Sequence, residues 1–298
     1  MSPPAGAGRP VGADDAARTT PDVAKRWRDL RKRVLSALVL GPAAIACIWL
    51  GAEPWTALMA LAIAILAWEW VHLCGLRTST LPGMAVPAAV FAAGTLAVVE
   101  LPGASLAMLA AGFLLTYGAA RAMRGRDRPA VPAGRLALGV LYIGLAGIAL
   151  VELRHDNAAG RTNVLFLFLV VWASDIGAYM AGRAFGGPKL MPAVSPNKTW
   201  SGAAGGLACA MLVGLVAALL LAPGDALWSL PVAALLALMA QAGDLLESAI
   251  KRQFQVKDTS SLIPGHGGLL DRLDGVLAAA PVAAILAMIC GQGQPIWQ

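Results

Sequence analysis

The sequence predicts an all-α polytopic integral membrane protein of about nine transmembrane helices, with its amino terminus in the cytoplasm. Three observations predict it. Only 13% of the 298 residues are Asp, Glu, Lys or Arg and 58% are hydrophobic, with a mean hydropathy of +0.69; soluble domains carry about a quarter charged residues. The apolar residues fall into nine runs near the length of about 20 residues that crosses a bilayer as a helix. Laid alternately across a bilayer, those runs leave nearly all basic residues on one side. The apolar content excludes a disordered chain, and the shortage of charge argues against a soluble enzyme.

Residues 1–24 are rich in Pro, Gly, Ala and Asp without periodicity, which reads as disorder. Residues 25–33, KRWRDLRKR, form a basic cluster beside the first apolar run and suit an anionic leaflet. Residues 1–30 are therefore expected to be a disordered, basic-ended cytoplasmic tail, and 31–298 a membrane-embedded domain. A signal peptide is disfavoured, because over thirty polar residues precede the apolar core. The nine runs are 34–50, 55–71, 81–99, 104–120, 136–151, 164–181, 202–222, 226–250 and 269–290. Their many Ala and Gly residues suit close helix packing in lipid. Cys47, Cys74, Cys209 and Cys290 are scattered, with no disulfide framework or zinc spacing.

With nine spans, every one of the 23 Lys and Arg except Arg154 and Arg161 falls on the side of the amino-terminal tail. The positive-inside rule makes that side cytoplasmic, in a bacterial inner membrane. A span more or fewer would split the clusters. The net charge of +6 is thus assigned to orientation, not to nucleic acid, since no basic stripe interleaves with aromatics.

Polar residues concentrate in two cytoplasmic places, 174–202 and 243–275, with motif loops at 182–201 and 251–270. Asp244, Glu247, Ser248 and Lys251 stand at i, i+3, i+4 and i+7, on one helix face. A Glu247–Lys251 pair at a helix end accounts for two of them but leaves Asp244 about two turns inside an apolar run. A carboxylate at membrane depth is costly and marks function. Asp175 in the sixth run poses the same question, and so does Glu69 in the second, whose role the sequence leaves open. Asp271 and Asp274 open the ninth run around Arg272. Favourable pairing with the helix dipole would explain them in isolation. Runs eight and nine are consecutive, however, so Asp244, Asp271 and Asp274 meet at one membrane face as an oxygen-rich site suited to Mg²⁺. Lys251, Arg252, Lys257 and Arg272 lie near enough to hold phosphates. The turn from Pro264 to Gly268, with His266, Gly267 and Gly268, lets backbone N–H groups and the imidazole approach an anion. Acids for metal, bases for phosphate and mobile turns are the parts of phosphoryl or nucleotidyl transfer. No Walker-type loop, HExxH or GxSxG is present.

The run S-A-I-K-R-x₄-K-D-x₅-P-G-H-G-G-L-L-D-R-L-D, from Ser248 to Asp274, resembles the signature of the phosphatidate cytidylyltransferases (CDP-diacylglycerol synthases). D-I-G-A-Y-x-x-G-R-x-F-G from Asp175 to Gly186 and S-P-N-K-T-W-S-G from Ser195 to Gly202 agree, so the resemblance covers roughly residues 30–290. The family commonly has a second Lys where Asn197 stands and a Glu where Ser201 stands; no charge-dependent role is assigned to either. The resemblance implies that residues 31–298 are a catalytic domain. It would transfer CMP from CTP to phosphatidic acid, giving CDP-diacylglycerol and pyrophosphate for phospholipid biosynthesis. The expected metal ligands for Mg²⁺, one ion or two, are Asp244, Asp271 and Asp274. Lys257, Asp258 and Arg272 complete the catalytic set. Asp175, Ser195, Asn197, Lys198, Ser248, Lys251, Arg252, His266, Gly267 and Gly268 would bind substrate. The expected partners are the two substrates and the bilayer; small-residue faces would permit a homodimer. The rival readings are a CTP-dependent lipid enzyme of the polyprenol or phytol kinase type and, from another class, a transporter. A transporter would place its polar motifs near the bilayer midplane.

Overall fold

A computed structural model describes residues 41–123, 132–156, 158–222, 224–263 and 267–298. The tail 1–30, the start of the first apolar run and His266 lie outside the described residues. Eight helices are long and apolar enough to cross a membrane. They are α2 (Ala52–Leu73), α3 (Leu81–Val98), α4 (Pro102–Ala122), α5 (Ala133–His155), α6 (Gly160–Phe185), α7 (Trp200–Leu221), α8 (Ser229–Gln253) and α9 (Leu270–Cys290). A shorter apolar helix, α1, spans Gly41–Leu50. The chain is an integral membrane protein, and eight of the nine predicted runs appear as full-length helices within a few residues of their expected ends. Lipid forces this outcome: a spanning segment must satisfy its backbone internally, and the helix does so.

Two buried clusters organise the helices. One draws on α1, α2 and the far half of α5 with α6 to α9; the other on α2, α3, α4 and the near half of α5, with Ile250 of α8 and Leu270 and Leu277 of α9. The most extensive pairing is α6 with α7, where a Cβ on Gly177 would collide with Cys209 Cβ. Contact without side chains between backbones is how helices associate in lipid. Within 182–201, expected as a loop, α6 continues to Phe185. A short antiparallel hairpin follows, β1 (Lys189–Met191) with β2 (Ser195–Thr199). Thr199 then caps α7, its hydroxyl accepting from Gly202 N–H at 3.1 Å.

The two basic residues that the sequence assigns to the far side both clamp α1. Arg154 donates Nε and Nη2 to the Ile48 carbonyl at 3.0 and 2.8 Å, filling one of the last carbonyls that a helix end leaves open. The Arg161 guanidinium lies 4.7 Å from the Trp49 ring centroid. The carboxyl-terminal residues fold back at the same end. Gly293 N–H donates to Asp156 Oδ2 at 2.6 Å, Ile296 N–H to Asn163 Oδ1 at 3.0 Å, and Trp297 packs 4.4 Å from the Phe166 ring.

Asp156 also accepts from Ala158 and Ala159 N–H, both at 2.9 Å, an Asx turn that leads into α6. Burial raises its carboxyl, but these three N–H donors outweigh it and hold the group below the usual carboxylate range. The ionised form thus carries stability that is present above the unfolded value of about 4 and is lost as pH falls through the depressed folded value. Asp156→Asn is expected to lower the melting temperature of the detergent-solubilised protein at pH 7, by about 1 kcal/mol in stability. The wild-type advantage should fade on acidification below about pH 4; a scan in which it grows with acid would refute this account.

Candidate active site

α6, α8, the loop that follows α8 and the start of α9 form a cavity of about 420 Å³, lined by Trp172, Asp175, Asp244, Lys251, Asp258, Asp271, Arg272 and Asp274. Seven of these eight are predicted site residues. α8 and α9 come together because Gly243 has no side chain: a Cβ there would lie 2.6 Å from both Ala278 Cβ and the Asp274 carbonyl oxygen. That approach sets Asp244 opposite Asp274.

The two polar stretches, over forty residues apart, meet here. Lys198 on β2 forms an ion pair with Asp244 Oδ2. Arg252 Nε donates to the Val194 carbonyl in the hairpin at 3.2 Å. Ser248 Oγ donates to Asp244 Oδ1 at 3.4 Å. Asp274 is steadied from two sides: its carboxylate accepts from Gly275 N–H at 2.8 Å, and its carbonyl accepts from Tyr142 Oη at 3.0 Å.

Asp271 behaves differently from the other two expected metal ligands. Its Oδ1 accepts from Lys251 Nζ at 2.8 Å; its Oδ2 accepts from Thr259 N–H at 2.9 Å, Thr259 Oγ1 at 3.0 Å and Gly268 N–H at 2.8 Å. Both oxygens are thus engaged in closing the loop between α8 and α9. Lys251 in turn reaches Glu247 Oε2 at 3.3 Å, so this expected phosphate binder is also the bridge between two buried carboxylates. The Glu247–Lys251 pair read from spacing exists. The structure adds that Glu247 reaches the Asp274 carboxyl, while its buried Oε1 has no hydrogen-bond partner among the described residues.

Glu69, whose role the sequence leaves open, is fully buried and grips the start of α9. Its Oε1 accepts from Ser260 Oγ at 2.6 Å and Leu269 N–H at 2.9 Å, and its Oε2 from Leu270 N–H at 2.7 Å. A helix start leaves such N–H groups without partners, and a carboxylate there also meets the positive end of the dipole. Gly268 is required beside it: a Cβ would collide with the Thr259 hydroxyl and come within 2.8 Å of Glu69 Oε1.

Ser195, Asn197, Arg252 and Lys257 stand outside the cavity lining. Ser195 and Asn197 belong to β2, and Arg252 and Lys257 are exposed. Gly267 and Gly268 sit in the loop, with Ile263 N–H donating to the Gly267 carbonyl at 2.9 Å. Trp172 was not a sequence candidate; its position one turn before Asp175 was the available signal, but an aromatic in an apolar run carries none of its own.

The model of the cytidylyltransferase family matches residues 31–290. The chain belongs to the cytidylyltransferase family. Among curated relatives, a phosphatidate cytidylyltransferase of Brucella suis is 41% identical over 268 residues, covering 88% of this chain and 94% of the relative. One of Pseudomonas aeruginosa is 39% identical, covering 89% and 100%, and one of Bacillus subtilis is 30% identical, covering 85% and 96%. The cavity of this cytidylyltransferase-family protein lies entirely within the matched residues.

Replacing Glu69 by Gln would turn an NH₂ group toward donors that need an acceptor. Glu69→Gln is expected to destabilise the protein by about 1–3 kcal/mol and to slow nucleotidyl transfer at saturating substrate. Thermal unfolding and initial rates check both; an unchanged rate would show that α9 does not depend on this clasp.

Proposed function

We propose that the chain transfers CMP from CTP to phosphatidic acid at the cytoplasmic face of a bacterial inner membrane, giving CDP-diacylglycerol and pyrophosphate. The observation that carries the reading is the charge of the cavity: five carboxylates against Lys251 and Arg272, in a chain whose relatives named phosphatidate cytidylyltransferase align over nearly its full length. The distribution of Lys and Arg supports the cytoplasmic orientation. The +6 charge serves that orientation and phosphate handling rather than nucleic acid.

A cavity with that excess of negative charge repels a triphosphate unless cations enter with it, so the donor set fits Mg²⁺. Among the described residues no three carboxylate, His or Cys side chains come close enough to form a closed metal site. Mg²⁺ is commonly held by one or two carboxylates together with substrate phosphates, and Asp244 and Asp274 would hold it here. Asp271 would join them only by releasing Lys251 or Thr259. Bound there, the metal would neutralise phosphate charge and favour departure of pyrophosphate.

The residues themselves bind and orient. Arg272, Lys251 and, on release from Asp244, Lys198 attract phosphate oxygens. Trp172 adds an aromatic side chain to the lining. A phosphate oxygen of the lipid attacks the α-phosphorus of CTP; the bond from that phosphorus to the bridging oxygen breaks, and pyrophosphate takes the electron pair. The attacking oxygen is already anionic, so no protein base is needed. Holding the two phosphates in line is the main task of the site.

Purified protein given phosphatidic acid and CTP labelled at the α-phosphate is expected to move label into lipid when Mg²⁺ is present and not after chelation. Label entering lipid from the γ-phosphate would mean a kinase and overturn the reading. Asp274→Asn should reduce transfer at least about a hundredfold, whereas near-normal Mg²⁺-dependent transfer would remove Asp274 from the metal assignment.

A further inference from the structure

We propose that a groove on the outer face of α4 and α5, at the same membrane boundary as the cavity, is a binding site for an anionic glycerophospholipid distinct from the catalytic site. The groove has a volume of about 570 Å³ and includes Phe113, Tyr117, Arg121, Gly134, Arg135 and Leu138. It shares no lining residue with the catalytic cavity.

Its chemistry changes along its length. On α4, Phe113, Tyr117 and Arg121 follow at i, i+4 and i+8, on one stripe. The two rings are nearly parallel, with centroids 6.4 Å apart, and the Arg121 guanidinium lies 5.8 Å from the Tyr117 centroid. The stripe thus runs from apolar surface to a cation at the helix end. Arg135 faces it from the first turn of α5, its guanidinium 5.5 Å from the Phe254 centroid. That turn has no acidic residue and no capping side chain, so the positive end of the α5 dipole adds to the two guanidinium charges. The ion pairs between described residues involve Lys198 and Lys251 only; within the described residues, neither groove arginine has a carboxylate partner.

Two guanidiniums at the boundary above an aromatic and aliphatic groove complement a phosphodiester head with an acyl chain below it. A free phosphate would satisfy the cations and leave the groove unused. The Arg135 contact with Phe254, the first residue after α8, ties the groove to the loop that carries Lys257 and Asp258.

The test uses purified full-length protein without CTP, so its failure is distinct from failure of the transferase reading. Retention of dioleoyl phosphatidylglycerol and of dioleoyl phosphatidylcholine is measured by native mass spectrometry. The wild type is expected to retain the anionic lipid roughly tenfold better, and the double variant Arg121→Gln, Arg135→Gln to lose that preference. Gly134→Leu is the second variant: a Cβ there meets no atom of another element within 4 Å among the described residues, so the side chain enters the groove while both arginines stay. It should reduce retention of the anionic lipid as strongly. Unchanged preference in both variants overturns the proposal. So does displacement of the lipid by millimolar inorganic phosphate, which would mark a simple anion site, or a change of oligomeric mass in Gly134→Leu, which would mark an interface between copies.

Discussion

The start of α9 hangs on a carboxylate that another helix supplies. Glu69, deep in α2, takes the N–H groups of Leu269 and Leu270 and the hydroxyl of Ser260. Without an acceptor, those buried groups would each cost about 1–3 kcal/mol. With it, the first turn of α9 has one position, and Asp271, Arg272 and Asp274 are delivered to the cavity from that turn. Gly268 completes the arrangement by leaving room for the carboxylate and the Thr259 hydroxyl together.

Charge in the site is divided between structure and chemistry. Asp271, Lys251 and Glu247 form a nearly buried chain of ion pairs. Such chains are sensitive to loss of one member, because an unpaired buried charge is left behind. They hold the loop. Asp244, Asp175, Asp258 and Asp274 face the cavity with fewer protein donors, and they are the groups with oxygens to offer a cation and its phosphates. Carboxylates a few residues apart in sequence thus do different work according to how many N–H and N⁺–H donors already point at them.

Much of this is legible in the sequence. The helices appear near their expected ends because each must bury about 20 residues of apolar side chain in lipid, a local property written in consecutive positions. Asp244 stands out because a carboxylate in such a run is expensive, and Asp271 and Asp274 because consecutive spans bring them to the same membrane face. The Glu247–Lys251 pair followed from helical spacing. What spacing could not show was Glu247 against Asp274, the hairpin that carries Lys198 to Asp244, or the partner of Glu69, which lies about two hundred residues away.

The sequence by itself determined that this protein lives in a membrane, which acids are out of place there, and which side its basic residues favour. Those follow from transfer of side chains between water and lipid, which depends on each residue and its near neighbours. Only the tertiary structure decided which acids are spent on holding the loop and which remain open, and that Arg154 and Arg161 clamp α1. Those depend on hydrogen-bond donors that arrive from distant helices, and a donor's direction is set by packing rather than by its place in the chain.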